Sequence, residues 1–163
     1  MAEFTWLPPE VNKLATQSNE EYIDILYTIF TKDFIDTSPI FRGIKLALKK
    51  HPKKDDKEAT FWHLITCGSD EQSRTIDLPR CSKLPWVMPT IDNEARPEIK
   101  IWENIRKNET RIVLWIEAKD YVVVLAKRNG YILPWTAYPI TYKHTKEKLE
   151  KEYLQYTMQK TSQ

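Results

Sequence analysis

Glycine, cysteine and histidine are scarce in this chain of 163 residues, and each scarcity excludes a class of site. With three glycines in all, the sequence has no glycine-rich loop of the kind that cradles a nucleotide phosphate. The two cysteines form no CxxC pair, the histidines form no HExxH motif, and GxSxG is absent. We therefore expect chemistry that uses charged and hydroxyl side chains, with no metal and no cofactor.

An excess of charge of one sign and long apolar runs are also missing. The formal net charge is only +2, so the chain is not a polyanion-binding protein by overall charge, although a local basic patch is compatible with it. No apolar run approaches the ~20 residues of a membrane span, and no signal peptide is recognisable. Two cysteines do not make a disulfide framework. These features favour a cytoplasmic globular protein without a membrane partner.

Four β-rich runs separated by short turns occupy residues 98–142. Asn129-Gly130 is the strongest hairpin signal among the turns, because a type I′ turn needs positive φ at both central residues. Successive short turns predict a four-stranded antiparallel meander, with one face buried and the other open to carry a site. The three turns are residues 108–110, 119–120 and 129–130.

The third and fourth runs of this meander are predicted to differ in position. Residues 120–128 are the most continuously apolar and indicate a central strand. The fourth run contains Pro134 and Pro139, which cannot donate to a ladder, so we expect an edge or bulged strand there.

The rest of the chain predicts helices and shorter strands around this sheet. Ser18 and Glu21 form a capping box, and helical spacing follows to about Thr31, although residues 27–35 are also compatible with extended chain. Period-2 alternation predicts a strand at 44–48, and Thr145 to Met158 has one helical packing stripe. Residues 59–66 are a strand or a short helix, and 68–85 read as a long loop.

The fold class that follows is α+β: N-terminal helical and hairpin elements packed on a four-stranded antiparallel meander, with a C-terminal helix. We expect residues 1–163 to be a single domain, with an N-terminal extension at 1–58 and a core at 59–158.

His63 is the first candidate for chemistry. It stands in the apolar segment Phe61 to Ile65, and imidazole is the side chain best matched to proton transfer near neutral pH. The alternative is a structural histidine whose ring is satisfied by a backbone carbonyl. His144, just before the C-terminal helix, is a second candidate acid or base, or an exposed residue at the helix cap.

Cations and hydroxyls gather near the ends of the predicted strands. Guanidinium and ammonium groups stabilise charge on phosphate oxygens, but they are equally common as solubilising surface charge. Thr136 and Tyr138 lie two apart on one strand and so share a face, where hydroxyls can bond a phosphate or a 2′-OH. Five tryptophans, Trp62, Trp86, Trp102, Trp115 and Trp135, are predicted to be core residues, with one or two available for base stacking. The cations are Arg80, Arg106, Arg111, Lys127 and Arg128.

The order of short motifs over residues 59–155 resembles phage-associated nucleases of the barnase, EndoU, colicin and RelE (BECR) superfamily. The matching segments are FWHL at 61–64, a loop that holds Arg80, LPWVMPTI at 84–91, KIWE at 100–103, RIVLW at 111–115, DYVVVLAKR at 120–128 and TAY at 136–138. The resemblance implies helical elements on a four-stranded antiparallel sheet, and metal-independent cleavage of RNA by attack of the 2′-OH on phosphorus.

The same resemblance implies roles for five residues. His63 would be the general acid or base, Arg80 and Arg128 would clamp the phosphate, and Thr136 and Tyr138 would position it. Tyr138 and His144 are both possible as the second proton-transfer group, and contacts to the substrate are expected from Lys127, Arg106, Arg111 and His144.

We therefore expect an endoribonuclease with an RNA substrate, of phage or mobile-element origin and toxin-like, which a protein inhibitor or host partner could bind. The alternative is a non-catalytic module that binds RNA or protein.

Overall fold

The computed structural model describes residues 4–161, and the chain is an α+β protein in that range. The helices are α1 (Asn19–Phe30), α2 (Ala59–Ile65), α3 (Leu78–Ser82), α4 (Val87–Asp92) and α5 (Lys143–Thr161). The strands are β1 (Ile40–Phe41), β2 (Ile44–Lys45), β3 (Thr66–Cys67), β4 (Thr75–Ile76), β5 (Ile99–Arg106), β6 (Glu109–Ile116), β7 (Tyr121–Lys127) and β8 (Ile132–Pro139).

Strands β5 to β8 form the predicted antiparallel meander, in the order β5-β6-β7-β8. Strand β7 is interior, and β8, with its two prolines, is an edge strand. The ladder shifts between Val124, which pairs with Thr136, and Leu125, which pairs with Pro134. Trp135 is therefore the extra residue of a β-bulge, as the prolines of this strand predicted.

The turns of the sheet differ from the prediction in their backbone. The β7–β8 connection spans residues 128–131 and is closed by a hydrogen bond from Arg128 N–H to the Tyr131 carbonyl, at 2.9 Å. Gly130 has φ +86°, whereas Asn129 keeps negative φ, so the predicted type I′ turn is wrong. The β5–β6 turn has the expected backbone instead, since Lys107 and Asn108 have φ of 51° and 62°.

Both faces of the sheet are covered, each by different elements. Leu114, Val123 and Leu125 lie on the face that packs against the N-terminal two-thirds of the chain, which we call the inner face. Trp102 and Trp115 lie on the outer face, part of which is covered by α5 through Leu149 and the half-buried Tyr153 and Tyr156. The part of the outer face that α5 leaves open carries the site described below.

Several predicted elements need correction. Residues 27–35 are not extended, because α1 continues as a π-helical turn over Thr31–Ile35. The strand at 44–48 is reduced to Ile44–Lys45, and Leu46 instead forms a parallel bridge with Ile132. The ambiguous segment 59–66 is helical over α2. The segment predicted as a long loop contains β4, α3 and two 3₁₀ turns, Glu71–Ser73 and Leu84–Trp86.

The N-terminal segment lies against the centre of the chain through specific hydrogen bonds. Val11 N–H donates to the Ser82 carbonyl at 2.9 Å, and Tyr22 Oη donates to the Val11 carbonyl at 2.6 Å. Trp86 Nε1 donates to the Pro8 carbonyl at 2.8 Å. Within residues 4–161 no helix has the length and apolarity to cross a bilayer.

Candidate functional site

Two open clefts lie near the edge strand β8, and five of the predicted site residues line them. The first, which we call the sheet cleft, lies on the outer face of the sheet and has a volume of about 560 Å³. The second, the histidine cleft, lies beside α2 and has a volume of about 440 Å³. Trp135 lines the sheet cleft, and its ring centroid is 5.4 Å from that of His63, which lines the histidine cleft.

Arg80 connects α3 to the edge strand. Asp77 caps α3 by accepting from Arg80 N–H at 3.1 Å, which directs the guanidinium towards β8. Arg80 Nη1 then donates to Thr136 Oγ1 at 3.1 Å and to the Thr66 carbonyl at 2.9 Å. The guanidinium carbon also lies 5.6 Å from the ring centroid of Tyr138. Three residues predicted to act on phosphate, Arg80, Thr136 and Tyr138, are therefore adjacent.

Tyr138 is largely buried under this arrangement. Burial raises the pKa of its phenol above the ordinary value, and the positive charge of Arg80 partly opposes that shift. The neutral hydroxyl is thus the form present at neutral pH, and it can donate a hydrogen bond to an anionic ligand.

Two further cations pack against the ring of the bulged residue Trp135. The guanidinium carbon of Arg111 lies 4.6 Å from the Trp135 ring centroid, and that of Arg128 lies 5.6 Å from it. Cation–π contacts of this kind hold a guanidinium against a flat aromatic surface. A single extra residue in β8 therefore brings Arg111, Arg128 and His63 around one indole.

Glu109 supplies the negative charge for both of these arginines. Its Oε2 is 2.8 Å from Arg111 Nη2 and 2.9 Å from Arg111 Nε, and its Oε1 is 2.6 Å from Arg128 Nε. Charge-assisted pairs at these distances are strong when the groups are shielded from water, and the Glu109 and Arg111 side chains are both largely buried. The cations beside the cleft are consequently compensated before any ligand arrives.

His63 lies in the histidine cleft and is paired with a carboxylate. Its Nε2 is 3.0 Å from Glu71 Oε1 and 3.1 Å from Oε2, and the residue is 9% exposed. Burial lowers the pKa of the imidazole below its ordinary value, and the Glu71 carboxylate partly offsets that effect. Neutral His63 oriented by an acidic group has the arrangement of a general base.

Arg74, which lines the histidine cleft, is linked to Arg80 through a shared backbone carbonyl group. It donates to the Thr66 carbonyl and to the Gly68 carbonyl at 2.7 Å each, and to Thr66 Oγ1 at 2.9 Å. Arg80 donates to that same Thr66 carbonyl, so two guanidinium groups converge on one oxygen. Burial, followed by the charge of Arg80, lowers the pKa of Arg74. This network fixes the end of α2, and with it His63, relative to Arg80.

Three further predicted site residues are paired with acidic side chains or lie away from the sheet cleft. Arg106 lines the sheet cleft together with Arg111, but it pairs with Glu152 of α5 at 3.2 Å. Lys127 pairs with Glu103 at 3.2 Å and lies two residues after Leu125, so both side chains are on the inner face, away from the sheet cleft. His144 is exposed near the start of α5 and stacks on Tyr142, with ring centroids 5.4 Å apart. Lys127 and His144 are thus separated from the site they were expected to join.

Sequence reasoning did not identify Glu71, Arg74 or Glu109. Glu71 and Arg74 stand in the segment taken for a loop, and only the β3–β4 pairing, Thr66 to Ile76 and Cys67 to Thr75, folds it back against α2. Glu109 falls in the predicted turn 108–110, and only because β6 begins at Glu109 does this residue share a face with Arg111, two positions later.

Comparison with known proteins gives no relative on which to base an assignment. No protein-family model matches the chain. No curated protein matches it. No solved structure matches it. Among residues 4–161, no group of three or more histidine, cysteine, aspartate or glutamate side chains is arranged to hold a metal ion.

Proposed function

We propose that the protein is a metal-independent endoribonuclease that binds RNA along the edge strand β8. The observation that carries this proposal is the convergence at the bulge: Arg80 donates to Thr136, and the rings or guanidinium groups of His63, Arg111 and Arg128 contact Trp135. Guanidinium groups and a hydroxyl recognise a phosphate or phosphodiester, and an aromatic ring recognises a nucleobase by stacking.

The reaction requires two proton transfers and compensation of charge on phosphorus. The 2′-OH loses its proton to a base as its oxygen bonds to phosphorus, and the 5′-oxygen gains a proton as its bond to phosphorus breaks. Neutral His63, paired with Glu71, is suited to accept the first proton. Arg80 and the Thr136 hydroxyl lie together where they can stabilise the pentacoordinate phosphate. Of the two candidates for donating the second proton, Tyr138 lines the sheet cleft and His144 lines neither cleft, so we assign this role to Tyr138.

The first test is cleavage of mixed tRNA and mRNA by purified protein in EDTA. We expect products with 2′,3′-cyclic phosphate ends, and a loss of rate of about 10²-fold or more in His63→Ala. His144→Ala is the matched control, because it removes an exposed histidine that lines neither cleft. Absence of cleavage by folded wild-type protein on all RNAs, or an undiminished rate in His63→Ala, would contradict the proposal.

Thr136→Val tests the phosphate end of the site without changing its shape. Because valine keeps the volume of threonine but removes the hydroxyl that Arg80 contacts, we expect the cleavage rate to fall by about tenfold or more. Thr110→Val, on β6 of the same sheet, is the control and should keep the wild-type rate. Equal rates in the two variants would remove Thr136 from the site.

A second candidate function has its own supporting observation. Arg111 and Arg128 share Glu109, Arg106 is paired with Glu152, and His63 is nine-tenths buried. Compensated cations and a shielded imidazole are also what a non-catalytic RNA- or protein-binding module would have. Binding of RNA without cleavage in the experiment above would select this function.

A further inference from the structure

Several residues that line the histidine cleft have no role in the catalytic proposal. Besides His63 and Glu71 it is lined by the apolar groups of Pro52, Ala59 and Trp62, by Lys53 and Lys54, and by Gln72. An open cleft of about 440 Å³ with one aromatic wall, two ammonium groups and a carboxamide has the features of a pocket for one small polar aromatic group.

Trp62 forms a fixed aromatic wall of this cleft. Its Nε1 donates to the Lys54 carbonyl at 2.9 Å, and its ring packs edge-on against Phe61 with centroids 5.3 Å apart. The Lys54 ammonium lies 5.0 Å from the Trp62 ring centroid. The indole of Trp62 therefore has a fixed orientation. The exposed Lys54 ammonium covers one face of the ring, and a planar ligand can stack on that face by displacing it.

Gln72 brings hydrogen-bonding capacity to the other side of the cleft. Its backbone N–H donates to Asp70 Oδ1 at 3.2 Å, which orders the 3₁₀ turn Glu71–Ser73. No hydrogen bond joins its carboxamide to any other residue in the range 4–161. A free carboxamide presents a donor and an acceptor at once, which is the pattern that reads the edge of a nucleobase.

We propose that the histidine cleft is a subsite for one unpaired nucleotide, with its base against Trp62, the edge of the base at Gln72 and a phosphate near Lys53 and Lys54. This inference rests on the proposed ribonuclease function and assigns to it a single-stranded substrate. Single-stranded RNA is recognised in this way because an unstacked base offers both a flat face and a free hydrogen-bonding edge.

The test measures nucleotide binding separately from cleavage, by calorimetric titration of the full-length protein with each of the four nucleoside 3′-monophosphates. We expect Trp62→Leu to weaken binding of every nucleotide by about fivefold or more, because it removes the stacking surface. Gln72→Ala should change the ratio of affinities between bases by about threefold or more. Gln155→Ala, on the exposed side of α5, is the matched control and should leave all four affinities unchanged.

The outcomes separate the subsite from the catalytic proposal. Absence of nucleotide binding by wild-type protein, or equal affinities in wild type and in Gln72→Ala and Trp62→Leu, would overturn the subsite. Gln72 is exposed, so its substitution remains informative if Trp62→Leu fails to fold. Binding that these variants weaken, without RNA cleavage by the wild type, would support the subsite and remove the nuclease function. RNA cleavage with unaltered nucleotide binding would do the reverse.

Discussion

The imidazole of His63 is held in its neutral form by burial, against the opposing influence of Glu71. The unfolded chain has no such burial, so its histidine takes up a proton at higher pH than the folded one. The free energy of unfolding therefore decreases as pH falls through the ordinary histidine pKa of ~6.5, and keeps decreasing until the lower folded pKa is reached. Well above pH ~6.5 the histidine is neutral in both states, and this penalty on stability is absent.

Glu71→Gln makes that balance measurable. Without the carboxylate, the effect that raises the imidazole pKa is removed while burial remains, so we expect the pKa of His63 to move further down. An NMR titration of the histidine ring protons measures the shift directly. Glu150→Gln, an exposed glutamate on α5, is the control. An upward shift in Glu71→Gln would mean that the two residues do not interact as described.

Three residues that the sequence analysis selected for their chemistry lie close together in the structure. Arg80, Thr136 and Tyr138 were named from side-chain type and strand periodicity, or from the resemblance to BECR nucleases, and the structure brings these three together. Glu71 and Arg74 were missed, because their importance depends on the fold of a segment that has no periodic pattern. Whether any of these residues acts on RNA stays a prediction.

One carboxylate of helix α5, that of Glu152, accepts three hydrogen bonds from the outer face of the sheet. Glu152 Oε1 accepts from Trp102 Nε1 at 3.2 Å and from Asn104 Nδ2 at 2.9 Å, and Oε2 accepts from Arg106 at 3.2 Å. Trp102 is buried, so its indole N–H has no water to replace this acceptor. The helix has a long polar surface and buries Leu149 as its one fully covered apolar side chain within the described residues 143–160.

We predict that Glu152→Ala loosens α5 and destabilises the protein. Leaving a buried donor unpaired costs about 1–3 kcal/mol, and the loss falls on the contact between α5 and β5. Hydrogen exchange should accelerate in α5 more than in β6 and β7, and chemical denaturation should give the change in stability. Glu150→Ala is the matched control on the same helix. Equal exchange rates in both variants would contradict this view of Glu152.

Elements with a clear local sequence signal were predicted, and elements without such a signal were not. The meander, the bulged edge strand and the capping box of α1 follow from turn residues, prolines and the Ser18–Glu21 pair, and all are present. The type I′ backbone formed at Lys107-Asn108, because the pairing of Arg106 with Glu109 leaves a two-residue loop, whereas the β7–β8 connection has four residues, 128–131. Helix α3 lay hidden in a polar segment because it is a single turn.

The core of the molecule joins the N-terminal third of the chain to the sheet. Phe30 on α1 packs against Phe61 on α2, with ring centroids 5.3 Å apart. The buried side chains contributed by the first 58 residues to the inner core are Tyr22, Leu26, Phe30, Phe34, Phe41 and Leu46. At roughly 1.5–3 kcal/mol for each, their burial amounts to about 10 kcal/mol or more.

We therefore predict that residues 59–158 do not fold alone. The lost burial is as large as the whole stability of a typical domain, about 5–15 kcal/mol. Circular dichroism with urea titration of the 59–158 fragment should show no cooperative transition, whereas a 4–161 fragment, the control for truncation itself, should retain one. A cooperative transition in the shorter fragment would make residues 1–58 the detachable extension that the sequence suggested.

The pairing of Arg111 and Arg128 with Glu109 has a consequence for how a polyanion would associate with this face. These two cations already share an internal counter-ion, so they present less net positive charge to a phosphate, and a phosphate that binds both guanidinium groups must displace a carboxylate. Association then becomes an exchange of one anion for another, which depends less on ionic strength than binding to bare cations does. An RNA strand that contacts this face without displacing Glu109 gains little binding free energy. One that fits the cleft well enough to displace Glu109 contacts both arginines at once.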